Sequence, residues 1–77
     1  MDMKGWLHSA DSMERDALAK LCDTSVAYMW QIAGGHSRPG TELAKKFATY
    51  SSKLTPDREL TLEELRPDIW GKDIIAA

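Results

Sequence analysis

The sequence predicts an all-α fold of five helices in one domain, residues 1–77, ending in a short helix and a tail. Apolar residues recur at helical spacing, whereas no segment shows the alternation of a strand. Capping residues and glycines bracket the apolar stretches. With 77 residues, the chain can bury one small core.

The first two helices are expected near residues 3–9 and between Asp11 and Cys22. The first has apolar residues at i, i+3 and i+4, namely Met3, Trp6 and Leu7. Asp11 and Glu14 have the spacing of a capping box that starts the second. Its expected apolar face consists of Met13, Ala17, Leu18, Leu21 and Cys22. Asp23 follows in a short turn, where we expect the left-handed backbone conformation that aspartate tolerates.

A third helix is expected from Ser25, a good N-cap, to about Ala33, where two glycines stop it. At helical pitch the segment has two different sides. One is apolar and expected to face the core; it carries Tyr28, Met29, Ile32 and Ala33. The opposite side carries Ala27, Trp30, Gln31 and Gly34.

The second half of the chain predicts one long and one short helix. Pro39 fits the first turn of the fourth helix, whose apolar face holds Leu43, Ala44, Phe47, Ala48 and Tyr50. Residues 51–60 are expected to form a loop. In the tail, about 60–77, Thr61 and Glu64 have capping-box spacing for a one-turn fifth helix that Pro67 limits, and Leu60 and Leu65 have hydrophobic-staple spacing.

Composition and charge narrow the expected classes of function. The net charge is −2, and the acid is concentrated at the end: residues 1–56 hold seven Lys or Arg against six Asp or Glu, and residues 57–77 hold three against six. No apolar stretch is long enough to cross a bilayer, and the N-terminus lacks the layout of a secretion signal. The single cysteine, Cys22, suits a reducing compartment, so we expect a cytoplasmic protein.

Catalytic and metal-binding patterns are not found in the sequence. His8, Cys22 and His36 lack metal-ligand spacing. There is no glycine-rich phosphate loop and no nucleophile motif. We therefore expect no metal, no cofactor, no small-molecule substrate and no enzymatic activity.

The third helix is unusual because no charged residue occurs between Thr24 and Gly35. Exposed helix surfaces normally carry Lys and Glu. A helix that enters the DNA major groove instead needs small residues and a few side chains that read base edges, a description that Val26, Ala27 and Gln31 fit. The pattern fits a DNA-binding helix-turn-helix at about residues 14–34, and it fits equally a bihelical unit that only builds a core.

The run LAKLCDTSVAYMWQIAGGHSRPGTELAKKF (18–47) resembles the helix-turn-helix of phage Cro and repressor proteins. It looks most like the small YdaS-type Cro-like regulators, and the tail LTLEELRPDIW (60–70) is similar to the ending of that family. The matching positions are Leu18, Ala19, Ser25, Met29, Gly35, the polar stretch 36–38 and Pro39. Asp23, Thr24 and Trp30 depart from the usual pattern.

The resemblance implies a Cro/lambda-repressor-like domain that binds the double-stranded operator DNA of a phage or prophage, usually as a homodimer, and represses transcription. Val26, Ala27, Trp30 and Gln31 are the candidate base contacts, and Arg15, Ser37 and Arg38 the candidate phosphate contacts. Ser25 and His36 complete the candidate DNA-binding set, because one caps the reading helix and the other belongs to the polar loop that follows it.

The C-terminal segment carries apolar residues that either fold back on the body or form a dimer contact: Ile69, Trp70, Ile74 and Ile75. The rival hypothesis for the whole chain is a protein-interaction module, such as an antitoxin or a host-factor inhibitor. In that case Trp30 and the acidic tail would carry the contact.

Overall fold

A computed structural model describes residues 1–71, which form six helices and no strand. The helices are α1 (Met3–Ser9), α2 (Ser12–Leu21), α3 (Val26–Ala33), α4 (Thr41–Leu54), α5 (Leu62–Leu65) and α6 (Pro67–Trp70). The all-α prediction is confirmed, but the count of five helices is wrong. Pro67 ends α5 and then occupies the first position of α6, where a missing N–H costs nothing.

Side-chain caps begin α2 and α3 where the sequence predicts them. The Asp11 carboxylate accepts a hydrogen bond from the Glu14 backbone N–H at 2.8 Å, and Glu14 Oε1 accepts one from the Asp11 N–H at 3.1 Å. Ser25 Oγ accepts from the Tyr28 N–H at 3.1 Å. These bonds satisfy N–H groups that have no partner within the helix, so both predicted helix starts are confirmed.

The turn between α2 and α3 depends on Asp23, which has the expected left-handed conformation with φ of 56°. This geometry lets the Thr24 N–H donate to the Ala19 carbonyl at 2.9 Å and the Asp23 N–H donate to Lys20 at 3.2 Å. Gly35, with φ of 81°, ends α3 in the same way. Both turns satisfy carbonyls at a helix end, and together they set the two ends of α3.

The core lies where α1, α2, α3 and α4 meet. Its largest buried apolar side chains are Trp6, Leu7, Leu18, Met29, Phe47 and Leu60. The predicted apolar face of α2 is too broad, because Met13 is 79% exposed and Leu21 is 44% exposed. Helices α3 and α4 cover α2 only on the side that carries Leu18, Ala19 and Cys22. Ile32, also expected in the core, is half-buried against it.

Helix α4 is displaced at both ends from its predicted position. Pro39 precedes the helix, and Gly40 is the N-cap. At the other end, residues 51–54 are helical rather than part of a loop. The extra turn is stabilised because Ser51 is buried and its hydroxyl accepts a hydrogen bond from the Leu60 N–H at 2.8 Å.

The start of α5 differs from the predicted capping box. The Thr61 side chain makes no cap hydrogen bond to the backbone, and the Glu64 carboxylate lies 3.1 Å from the N-terminal amine of Met1. The two staple positions, Leu60 and Leu65, are both buried as expected. The short helix is therefore held mainly by the burial of these two leucines.

A buried polar contact joins α1 to the end of α4. Trp6 is fully buried, and its indole Nε1–H donates to Thr55 Oγ1 at 3.0 Å. The Thr55 hydroxyl is also buried and donates to the Ser51 carbonyl at 3.0 Å. An indole N–H removed from water needs such an acceptor, so Thr55 determines how the largest core side chain is accommodated.

We predict that Thr55→Val destabilises the protein by about 1–3 kcal/mol, because the change keeps the shape of the side chain and leaves the Trp6 indole N–H buried without an acceptor. Urea unfolding followed by circular dichroism measures the change. The exposed Thr49 on α4 gives the matched control, and Thr49→Val should change stability by less than about 0.5 kcal/mol. Equal effects of the two substitutions would contradict this role for the Trp6–Thr55 hydrogen bond.

Candidate nucleic-acid interface

The outer side of α3 is exposed and uncharged. Ala27, Trp30, Gln31 and Gly34 are exposed, whereas Met29 on the opposite side is fully buried. The expected exposure of Ala27 and Gln31 is therefore confirmed. Val26 differs from the other candidate base contacts because it is half-buried and packs against the core. The result is a narrow ridge with small, aromatic and amide side chains.

Trp30 is held at the edge of this ridge by two side chains from other helices. The Arg15 guanidinium carbon lies 5.4 Å from the centroid of the indole ring. The His8 and Trp30 rings are nearly perpendicular, with centroids 5.5 Å apart and an interplanar angle of 82°. Contacts of this kind favour one orientation of the indole, although 38% of Trp30 is exposed.

Arg15, a candidate phosphate contact, is engaged within the protein. Its Nε and Nη2 groups donate to the Leu7 carbonyl at 2.9 and 2.7 Å. The Leu7 carbonyl lies near the end of α1, where the helix dipole favours a positive charge. Arg15 therefore links α1, α2 and the Trp30 ring of α3. Three of its five N–H donors are not used in the Leu7 contact, two on Nη1 and one on Nη2.

A groove of about 150 Å³ runs beside Trp30, between α1 and α3. It is lined by Lys4, His8, Trp30, Ala33 and Gly34. Lys4 and His8 lie one turn apart on α1, so two side chains that can carry positive charge stand next to the outer side of α3. The sequence alone indicates no binding role for either residue. Their i, i+4 spacing was visible, but no local pattern indicates which helix α1 packs against.

Gln31 is tied to the loop that follows α3. Ser37 Oγ donates to Gln31 Oε1 at 3.3 Å, and the His36 N–H donates to the Gln31 carbonyl at 3.0 Å. Within residues 1–71, the Gln31 amide nitrogen donates to no protein atom. The loop therefore fixes the side-chain oxygen while the amide hydrogens remain available to a partner. His36 is exposed beside this contact.

Arg38 lies in a cluster of charges that joins the loop to α6. Its side chain is 68% exposed, with Nη1 3.4 Å from Asp68 Oδ2. Arg66 holds the same carboxylate more tightly, with hydrogen bonds of 2.9 and 2.7 Å. Arg66 also donates to the Pro39 carbonyl at 2.8 Å. The C-terminal segment thus attaches to the loop that carries Ser37 and Arg38.

The four residues predicted as dimer contacts differ in their exposure and in whether the structure describes them. Trp70 is half-buried and packs against the core. Ile69 is exposed. Ile74 and Ile75 lie outside the described residues. The homodimer stays a prediction, and within the described part of the segment Ile69 is the side chain available for it.

Cys22 is buried, and burial raises the pKa of its thiol to about 11, an effect that nearby Lys46 partly offsets. The thiol therefore remains protonated near neutral pH and is unreactive. Across residues 1–71, no three His, Cys, Asp or Glu side chains are grouped so that they could hold a metal ion. In the same residues, every helix is too short or too polar to cross a bilayer.

Comparisons with known proteins identify no relative. No family model, curated protein or solved structure matches the chain. The likeness to Cro-like regulators therefore rests on the sequence motifs in residues 18–47 and 60–70. Any functional conclusion has to come from the geometry of α3 and its surroundings.

Hydrogen bonds from Arg66, and a smaller effect of the Arg38 charge, lower the pKa of Asp68 from 3.8 to about 2. The ionised carboxylate is thus favoured in the folded state. The contribution of this carboxylate to the stability of the fold is fully present above the ordinary pKa, and it is lost as the pH falls through about 2. We predict that at pH 3.8, where an ordinary aspartate is half protonated, the carboxyl carbon of Asp68 still has the NMR shift of the ionised form.

The source of this shift is tested by two matched substitutions. Arg66→Met should return the pKa of Asp68 toward its ordinary value, because it removes both close hydrogen bonds. Arg38→Met should change that pKa less, because its contact is longer. The reverse order of effects would contradict the assignment of Arg66 as the main partner.

Proposed function

We propose that the protein is a sequence-specific DNA-binding transcription regulator of the Cro-like kind, acting as a phage or prophage repressor. In this proposal α2, its turn and α3 form a helix-turn-helix, and α3 lies in the major groove of an operator. The observation that carries the proposal is the exposed, uncharged side of α3, with Ala27 and Gln31 one turn apart on it. Occupation of the operator would then block transcription.

The shape of the α2–α3 unit supports this reading. Two helices meet at a turn in which Asp23 takes the left-handed conformation. Helix α3, which has eight residues, buries Met29 and leaves its opposite side exposed. The major groove, about 12 Å wide, admits a helix of this kind. A contact between two copies through the C-terminal segment, where Ile69 is exposed, would present two α3 helices to a two-fold operator.

Phosphate contacts are assigned to the margins of the α3 ridge. Arg38 follows the helix, and the N-terminal end of α3 at Ser25 presents backbone N–H groups. We assign Ser37 to positioning Gln31, because its one hydroxyl hydrogen is donated to Gln31 Oε1. Lys4 and His8 flank the ridge on the other side. We assign Arg15 chiefly to positioning Trp30, since two of its nitrogens already donate to Leu7. Because few cations take part, the affinity for DNA should depend only weakly on salt concentration. Each neutralised phosphate adds about −0.9 to the slope of log affinity against log salt concentration.

The proposal predicts that Gln31→Ala weakens binding to a specific duplex by about tenfold to a hundredfold and leaves binding to unrelated duplexes nearly unchanged. The reason is that an amide reads a base edge, whereas phosphate contacts do not depend on sequence. The duplex is first selected from a random-sequence library with the native protein, and affinities are then measured by fluorescence anisotropy.

Thr49→Ala provides a control on the exposed side of α4, next to the acidic residues Glu59 and Glu63. It should bind both kinds of duplex as the native protein does. Equal losses for Gln31→Ala on specific and unrelated DNA would overturn the reading role of Gln31. Failure of the library to yield any bound duplex would overturn the DNA-binding proposal itself.

Arg38 can meet a phosphate only in competition with Asp68, whose carboxylate lies beside it. We predict that Asp68→Asn raises affinity for any duplex by about twofold to fivefold, because it frees Arg38 and Arg66 from an anion. Glu63→Gln on α5 makes the same change in net charge away from the loop and should have a smaller effect. Equal gains would mean that only total charge matters, contrary to a local role of Arg38.

A second function has one observation in its favour. The net charge of −2 and the acidic excess in residues 57–77 suit a protein partner better than DNA. The exposed Trp30 would then be the centre of a protein contact, as in an antitoxin or a host-factor inhibitor. Trp30→Ala separates the two functions: it should abolish capture of a protein partner, whereas a DNA-binding protein keeps its sequence-independent affinity.

A further inference from the structure

The chemistry of the α3 ridge indicates which base pairs it can read. We infer that the ridge recognises A·T pairs, with the Gln31 amide on an adenine and Ala27 and Trp30 against thymine methyl groups. This inference rests on the proposed function and adds the base composition of the bound site. Three observations on the ridge lead to it.

The first observation is the orientation of the Gln31 amide. Ser37 Oγ donates to Oε1 at 3.3 Å, which orients the oxygen toward the loop, and within residues 1–71 the amide nitrogen donates to no protein atom. The oxygen keeps a second lone pair. An adenine edge offers the matching pair, an N7 acceptor and an N6 donor. Ser37 is thus a positioning residue for the contact, in addition to its place in the loop.

The second observation is the apolar character of the remaining ridge. Ala27 exposes a methyl group, and Trp30 exposes part of an indole that Arg15 and His8 hold in place. In the major groove the thymine methyl is the apolar feature of the base pairs. A fixed indole edge and a small methyl can bury thymine methyls without ordering a flexible side chain.

The third observation concerns guanine. Its O6 and N7 acceptors are most often read by Arg or Lys, and no charged residue occurs between Thr24 and Gly35. The nearest arginine, Arg15, donates to the Leu7 carbonyl and lies over Trp30. Arg38 is paired with Asp68 beyond the end of α3. Lys4 lines the groove beside Trp30 but belongs to α1. The ridge itself therefore carries no Arg or Lys side chain for a G·C pair.

The spacing on α3 limits the length of the recognised run. Ala27 and Gln31 are four residues apart, about 6 Å along the helix axis. Base pairs rise about 3.4 Å per step, so the two side chains reach positions about two steps apart. The inference thus specifies adenine and thymine contacts within a run of about three base pairs in each half-site.

The test uses duplexes selected from the random-sequence library, in which one functional group of one base is changed at a time. Replacing the contacted thymines one at a time by deoxyuridine removes only the methyl group, and affinity should fall about threefold to fivefold for each methyl that is buried. Replacing the contacted adenine by 7-deazaadenine removes the N7 acceptor, and affinity should fall about fivefold to twentyfold.

Matched protein variants assign each loss to a side chain. The 7-deazaadenine effect should disappear in Gln31→Ala, and the deoxyuridine effect should shrink in Ala27→Ser at the position nearest Ala27 and in Trp30→Leu at its neighbour. Ala27 is exposed, whereas Trp30 is 38% exposed and contacts Arg15 and His8, so each variant must be shown to fold. Circular dichroism provides this check.

Two results would overturn the inference and leave the proposed function intact: a selected site with only G·C pairs at the contacted steps, or specific binding that every deoxyuridine and 7-deazaadenine substitution leaves unchanged. If the library yields no bound duplex, the proposed function fails first, and the inference fails with it. The two failures are therefore distinguished by whether a specific duplex is obtained at all.

Discussion

The candidate interface depends on the burial of Met29, because an eight-residue helix has little stability of its own in water. Burial of an apolar side chain of this size contributes about 1.5–3 kcal/mol, which holds one side of α3 against α1 and α2. The opposite side is then necessarily turned outward. Exposure of Ala27 and Gln31 is thus a direct result of how the core is filled.

Polar contacts orient side chains around α3 that apolar burial alone does not orient. Arg15 connects the end of α1 to the Trp30 ring, and Ser37 fixes the oxygen of Gln31. At the other end of the chain, Arg66 joins α6 to the loop before α4 through the Pro39 carbonyl. Segments far apart in sequence therefore meet at α3 and at the loop that follows it.

Local features of the fold were predictable from the sequence, because their physical causes lie within a few residues. The Ser25 cap and the left-handed Asp23 are of this kind, and so is the exposed side of α3. Contacts between distant segments were not predictable, such as Trp6 with Thr55. The same limitation explains why α4 extends beyond its predicted end, since the buried hydroxyl that stabilises its last turn bonds to a residue nine positions later.

If the exposed, uncharged side of α3 lies against base pairs as we propose, an NMR titration with the selected duplex will detect that contact residue by residue. We expect the largest shift changes at the Ala27 methyl and the Gln31 side-chain amide, followed by Ser37 and Arg38 at the margin. Large changes confined to α5 and α6, with Ala27 and Gln31 unaffected, would contradict it.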